Sequence, residues 1–466
     1  MFVAQAVRVG VQITSVVVLS RLLEPADFGL VAMVLAIANI ATVVGDFGLS
    51  AAAIQSQTIT QQQRSNLLWT NVVLGSSLAL VIAALGQPLA LFYDQPKVAG
   101  LTHAVAISFL FSAAAAQFRA ELSKNLRFGR LAAIDIISPL IAIVAAIGAA
   151  VGGWGPWALI VQPVVLALST FVLSVVLAGW KPSLPRRAPM RGLYGFGAGT
   201  LGVQVITYVS TNIDDVLVGK FGGPVQAGFY SRAYQLFRLP MQQVAVPAAR
   251  VALPVLARIQ DDKERFEAYV LRGQLLLAYG FGGTFCLLAA CTDPLIDIAL
   301  GPGWGPAKPI FIALAVGGVF QSITIGYWWM FQAKGLTTYL LKFSLFGRSV
   351  MVLMLFGGLP WGAIGVACAS AAGQAVMWVL YTGLAVQRAG VSRRRLSFQA
   401  LAPVTAGLSA AAVGVSTGVL CEGMVPVAQL ALVLAAFAAW LGVLVLVVPR
   451  VRQDARIVLE TLRRAR

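Results

Sequence analysis

The stretch 131–179 reads LAAIDIISPLIAIVAAIGAAVGGWGPWALIVQPVVLALSTFVLSVVLAG. Asp135 is its only charged residue, and Gly152-Gly153-Trp154-Gly155-Pro156 is its only cluster of turn residues. An apolar run of about 20 residues crosses the hydrocarbon core of a bilayer. The stretch is therefore two spans joined by a turn, 131–151 and 155–179. Arg127 and Arg130 stand before the pair and Lys181, Arg186 and Arg187 after it, while the turn carries no cation. That asymmetry assigns the two ends to one side of a membrane and the turn to the other.

The rest of the chain repeats the pattern. Of its 466 residues, 59% are hydrophobic and only 11% charged, with a mean hydropathy of +0.84. A soluble chain carries about 25% charge. Reading apolar runs between charged or Pro/Gly-rich breaks gives fourteen candidate helices. They are 1–20, 29–54, 66–92, 99–117, 131–151, 155–179, 194–219, 225–257, 273–291, 306–331, 337–357, 361–386, 399–420 and 426–448. The eighth holds Pro240, Pro247 and Pro254 and is expected to bend. The expected fold is an all-α integral membrane protein with about 14 transmembrane helices.

Charge placement tests that count. With a cytoplasmic N-terminus, loops between even and odd helices and a basic tail face the cytoplasm. They receive 24 of the 34 basic residues, against four (Arg21, Lys97, Lys220, Lys308) on the opposite side. The clusters are Arg119, Lys124, Arg127 and Arg130; Lys181–Arg191; Arg258–Arg272; Arg388–Arg395; and the tail from Arg450. The net charge of +17 thus reads as topology rather than nucleic-acid affinity. A bacterial inner membrane with both termini cytoplasmic is the expected setting. Cys286, Cys291, Cys368 and Cys421 lack metal-type spacing and read as small packing residues. His103 is the sole histidine, which leaves little room for a histidine-based catalytic or metal site.

Short motifs recur. Arg21-Leu-Leu-Glu-Pro25-Ala-Asp-Phe-Gly29 matches Lys220-Phe-Gly-Gly-Pro224-Val-Gln-Ala-Gly228 at a separation of 199. Trp154-Gly155 matches Trp361-Gly362 at 207, as does Arg127 with Lys334. Turn chemistry alone could place Pro and Gly there, but the shared order predicts a duplicated six-helix unit. Six is even, so the two copies are parallel and pseudo-symmetric about the membrane normal, with a substrate path between them. The expected organisation is an N-terminal lobe, 1–192, a C-terminal lobe, 193–396, and two extra helices with a basic tail, 397–466.

Charges kept inside a bilayer cost on the order of 3 kcal/mol each and usually face a cavity or a partner. Arg8, Arg238, Arg250 and Arg348 sit deep by count, as does Asp46, while Asp214 lies toward the end of its helix, with Asn212 and Asp215. Arg238, Gln242 and Gln243 share one side of a helix, with Arg250 two turns on. These donors suit an anionic head group in a low-dielectric cavity; a helix seam pairing them with Asp46 or Asp214 is the alternative. Arg8, Arg238, Gln242, Gln243, Arg250 and Arg348 are the candidate substrate contacts. Asp46 and Asp214 are the candidate ion-coupling carboxylates. There is no P-loop, G-x-S-x-G or H-E-x-x-H, and no cofactor is expected.

Finally, SRLLEPADFGLVAMVLAIANIATVVGDFGLSAAAIQSQ (20–57) resembles the opening of Wzx-type polysaccharide exporters of the colanic-acid-exporter-like branch. The likeness continues in NLRFGRLAAIDII (125–137), GWGPWALI (153–160), NIDDVLVGKFGGPVQAGFYSRAYQLFRLPMQQ (212–243) and LPVLARIQDDKERF (253–266). That family belongs to the multidrug/oligosaccharidyl-lipid/polysaccharide exporter superfamily. The resemblance implies a two-lobed MATE-like bundle, not an enzyme. It also implies flipping of an undecaprenyl-pyrophosphate-linked oligosaccharide, in a membrane shared with a polymerase and chain-length machinery. Members often carry a short basic leader, which places the expected start upstream of Met1. An ion-coupled small-molecule antiporter, a peptidoglycan-precursor flippase and a membrane polymerase are the competing functions. The arginines disfavour cationic cargo, and no external loop exceeds roughly 15 residues, too short for a polymerase's external domain.

Overall fold

A computed structural model describes residues 2–45, 60–186 and 191–464. Among the described residues the chain is helical and has no strand, in keeping with the all-α expectation. The helices are α1 (Phe2–Leu22), α2 (Pro25–Gly45), α3 (Gln61–Ala84), α4 (Gly86–Tyr93), α5 (Lys97–Lys124), α6 (Phe128–Val151), α7 (Pro156–Ala178) and α8 (Arg191–Arg258). They continue with α9 (Lys263–Leu276), α10 (Gly283–Ala290), α11 (Thr292–Ala299), α12 (Ala307–Ala333), α13 (Thr337–Gly358), α14 (Gly362–Leu380), α15 (Arg393–Leu420), α16 (Pro426–Val447) and α17 (Pro449–Arg464). Nine of the described segments are long and apolar enough to cross a membrane, and the protein is a multi-pass membrane protein.

The seventh and eighth candidate helices are fused in α8 and parted only at Gly223, whose φ of 72° and ψ of −179° are open to glycine and little else. The dihedrals stay helical through Pro240, Pro247 and Pro254, although each proline removes one backbone hydrogen bond. Three stretches differ from expectation. α5 runs on to Lys124, so Arg119 sits inside a helix rather than in a loop. Lys263, Arg265 and Arg272 lie on α9, capped by Asp262, whose side chain accepts from the Arg265 amide. The basic tail forms α17.

The chain divides into two compact units, Met1–Gly228 and Phe229–Arg466. In the first, α5 is the hub, packing against α2, α3, α4 and α7; in the second, α12 packs against α10 and α14. Each hub has 61% of its apolar window buried, against 11% for α16. A helix that is apolar all round belongs in a bundle centre; α16 instead turns its apolar surface outward, as lipid requires. Between spans, lipid offers no hydrophobic gain, so close van der Waals packing of small residues takes over. Gly75 of α3 meets Ala113 of α5, Gly317 of α12 meets Ala371 of α14, and the Cys286 thiol fills the space over Gly407.

Two recurring motifs share a backbone conformation. Gly155 (φ 55°, ψ −130°) and Gly362 (φ 64°, ψ −149°) both follow a tryptophan, the first capping α7 and the second opening α14. Arg127 and Lys334 do not hold equivalent positions: Arg127 is the N-cap of α6, whereas Lys334 is the C-cap of α12. The residues that take positive φ after the two hubs are Leu126 (54°) and Gly335 (68°).

Candidate functional site

A cavity of about 620 Å³ lies within the unit Met1–Gly228, between α2, α5, α6 and α7. Its polar lining is Asn39 from α2, Ser108, Ser112, Arg119 and Ser123 from α5, and Thr170 from α7. The α5 residues recur every three to four positions, with Ala115, Ala116 and Ala120 between them, and so form one stripe along the helix. Small side chains on that stripe make the space. Ser108 turns its hydroxyl back onto the Val105 carbonyl at 2.6 Å. Pro163 of α7 also lines the cavity, and its missing N–H leaves a carbonyl of the preceding turn without its helical donor.

Among the described residues of this lining Arg119 is the single cation. It sits five residues before the end of α5, roughly 8 Å inside the helix terminus at 1.5 Å per residue. Its Nη2 donates to Asp135 Oδ1 at 2.9 Å, and both side chains are about a third exposed. One carboxylate uses only part of a guanidinium's five donors, so Arg119 can take a second anion. Around it, Arg64 pairs with Glu121 and lies 5.2 Å from the centre of the Trp180 ring. Arg127 and Arg130 donate to the carbonyls of Ala178 and Leu177 at the C-terminus of α7, where cations complement the helix dipole. The cations counted for topology thus also finish helices.

Those residues singled out from sequence whose side chains are described fall elsewhere. Arg8 is exposed on α1. Asp214 and Asn212 are buried on α8 within the first unit, and Asp215 is half-buried. Arg238, in the second unit, is exposed and lies 5.5 Å from the centre of the Tyr234 ring. Arg348 is half-buried on α13. Asp46 lies outside the described residues, as do the side chains of Gln242, Gln243 and Arg250, whose backbones belong to α8. Of those whose side chains are described, none lines the cavity. Sequence reasoning missed Arg119 by ending its helix at residue 117. The signal was the serine and alanine spacing from Ser108 to Ser123.

The second unit holds a separate buried polar cluster. Gln274 Nε2 donates to the Tyr327 hydroxyl at 3.2 Å and to the Leu396 carbonyl at 3.4 Å, and Tyr327 meets Thr382 at 3.0 Å. Two π-helical turns, Leu277–Gly282 and Tyr381–Ala385, adjoin or include these residues. Such turns rotate side chains out of α-helical register.

Comparison with known proteins places this geometry. A family model described as "Polysaccharide biosynthesis protein" matches residues 18–309. The lipopolysaccharide biosynthesis protein WzxC of Escherichia coli is 25% identical over 374 residues, covering 78% of this chain and 75% of that protein. The teichuronic acid biosynthesis protein TuaB of Bacillus subtilis is 28% identical over 284 residues, covering 60% and 59%. Among solved structures, the lipid II flippase MurJ in an inward closed conformation aligns with a TM-score of 0.67 at 13% identity, over 94% of this chain and 97% of its own. An inward-facing MATE-family multidrug resistance transporter aligns at 0.59 and 14% identity, over 84% and 95%. At such identities the structural likeness speaks for the fold. With more than half of its length matched by the family model, the chain belongs to the polysaccharide biosynthesis protein family.

Proposed function

We propose that this protein flips an undecaprenyl-pyrophosphate-linked oligosaccharide from the cytoplasmic to the periplasmic face of a bacterial inner membrane. The observation that carries this reading is membership of the family joined to a MurJ-like fold over nearly the whole chain. The names of the relatives, among them a succinoglycan biosynthesis transport protein of Rhizobium meliloti, point to polysaccharide precursors as cargo. The path is alternating access between two six-helix lobes, 1–192 and 193–396, with 397–466 added. The matched backbone at Gly155 and Gly362 supports the duplication. Both termini lie on the cytoplasmic side, with the basic clusters.

In this reading Arg119, at the basic end of its cavity, meets the phosphate as it enters, because a guanidinium in a partly dry site binds phosphate oxygens strongly. Arg8, Arg238, Arg250 and Arg348, with Gln242 and Gln243, are the further contacts proposed for the head group. Asp46 and Asp214 are proposed as the ion-coupling carboxylates; transport that kept its gradient dependence in the double Asn variant would remove them from that role. A polymerase and chain-length proteins are the proposed partners downstream.

The MATE-like fold favours a second reading, a small-molecule antiporter. The deciding experiment extracts lipids from a strain lacking this protein. Accumulation of an undecaprenyl-pyrophosphate oligosaccharide with loss of surface polymer, reversed by the intact chain, is the expected result. Unchanged surface polymer without accumulation would favour the antiporter.

A further inference from the structure

α17 follows α16 with only Val448 between them. Val448 is extended (φ −98°, ψ 108°), and Pro449, which lacks an N–H, starts the next helix instead of prolonging the last. The chain therefore turns where a span ends, and that span is the least enclosed of those described, at 11% buried. One face of α17 is fixed to the unit Phe229–Arg466. Val451 and Asp454 are buried, and the Tyr279 hydroxyl donates to Asp454 Oδ2 at 3.1 Å. Tyr279 stands in the π-helical turn Leu277–Gly282, so this contact joins α17 to a membrane span.

The opposite face is open and basic. Arg450, Arg452, Gln453, Arg456 and Glu460 are exposed. Arg452 donates to the carbonyls of Val445 (3.2 Å) and Leu446 and so caps α16; Arg450 stands at the margin, 3.9 Å from Asp454 yet with half of its side chain exposed, and Arg456 faces outward. α9, against which α17 packs, adds the exposed Arg272. An amphipathic helix in this position, apolar face inward and arginines at its margin, matches the chemistry of a phospholipid surface.

We propose that α17 is a docking surface for anionic phospholipid head groups, held in place by Val451 and the Tyr279–Asp454 hydrogen bond and read through Arg450 and Arg456. The proposal is independent of the cargo. A cation near an anionic leaflet gains about five-fold in occupancy, so the pair gains roughly 25-fold, lost as salt rises.

The test uses the full chain in nanodiscs of phosphatidylcholine alone or mixed with phosphatidylglycerol. Trypsin is added, and release of the segment beyond Arg452, a cleavage site kept in every variant, is followed by mass spectrometry. Release is expected to be roughly 25-fold slower in the anionic discs, and Arg450→Gln with Arg456→Gln should erase the difference while cleavage at Arg258 stays unchanged. Equal release in both lipids would overturn the proposal. So would protection that arises only when other membrane proteins are added, which would assign the face to a protein. Should the double Gln variant express poorly, raising the salt on the unaltered chain gives the same discrimination.

Discussion

The first turns of α2 and the stretch of α8 just past its break at Gly223 cross at two glycines, and that crossing can be pried apart by a single methyl group. A Cβ added at Gly29 would stand 2.6 Å from the Pro224 carbonyl carbon and closer to its oxygen; one at Gly228 would meet Pro25 in the same way, also at 2.6 Å from the carbonyl carbon. Ordinary contact begins near 3.4 Å, and the oxygens are the nearest atoms, so the backbones must part by more than an ångström. Backbone atoms cannot rotate away as a side chain would. The cost should therefore reach the upper end of overpacking, about 3 kcal/mol, or roughly 150-fold in the population of the closed crossing. Ala227 and Phe28, beside the glycines, are 3% and 1% exposed. In a chain freed of its native cysteines, a thiol placed at Ala227 should react with a water-soluble maleimide about 150-fold faster once Gly29→Ala is added. Gly29→Ala with Gly228→Ala should cost little more than either alone, because either methyl already parts the same crossing. An unchanged labelling rate, or strictly additive effects, would refute the idea that these glycines form one crossing.

Three further outcomes follow from other parts of the molecule. Arg119→Gln should abolish most export while leaving membrane abundance normal, because its part-exposed pair with Asp135 contributes about 1 kcal/mol or less; surface polymer and immunoblot signal measured together check this. Asp454→Asn should keep α17 docked, since an amide oxygen still accepts from Tyr279. Burial raises the Asp454 pKa, against the pull of the Tyr279 hydrogen bond and of Arg450. A carboxyl whose docked pKa is raised favours docking below its ordinary pKa and loses that contribution as pH rises through the raised value. Hydrogen exchange of α17 amides should therefore speed up as pH climbs through that window, beyond the intrinsic rate, and Asn should remove the effect. Gly362→Ala should lower the thermal midpoint, because φ 64° with ψ −149° is nearly closed to other residues, at on the order of 1–3 kcal/mol; Gly357→Ala, in α13 with open space around it, is the control.

Much of this protein could be read before its structure. The two spans at 131–151 and 155–179 lie within a few residues of α6 and α7, and the break between 219 and 225 falls on Gly223. Less visible was α17. Its mean hydropathy is low, so a scan for spans passes over it, although Val451, Ala455, Val458 and Leu462 recur at helical spacing in the sequence. Arg119 was hidden for a related reason. A charge near the end of an apolar run looks like a loop residue until the helix is seen to continue past it to Lys124.

Sequence by itself determined the class of the protein and the course of spans such as 131–151 and 155–179. Hydrocarbon demands long apolar helices, and that is a local property of a chain. Only the tertiary structure decided which polar groups meet. Arg119 finds Asp135, Pro25 crosses Gly228, and Tyr279 holds Asp454. The bilayer constrains how long an apolar helix must be but not which of its faces turns inward. That choice is made by residues far apart in sequence, through the shapes that let them pack.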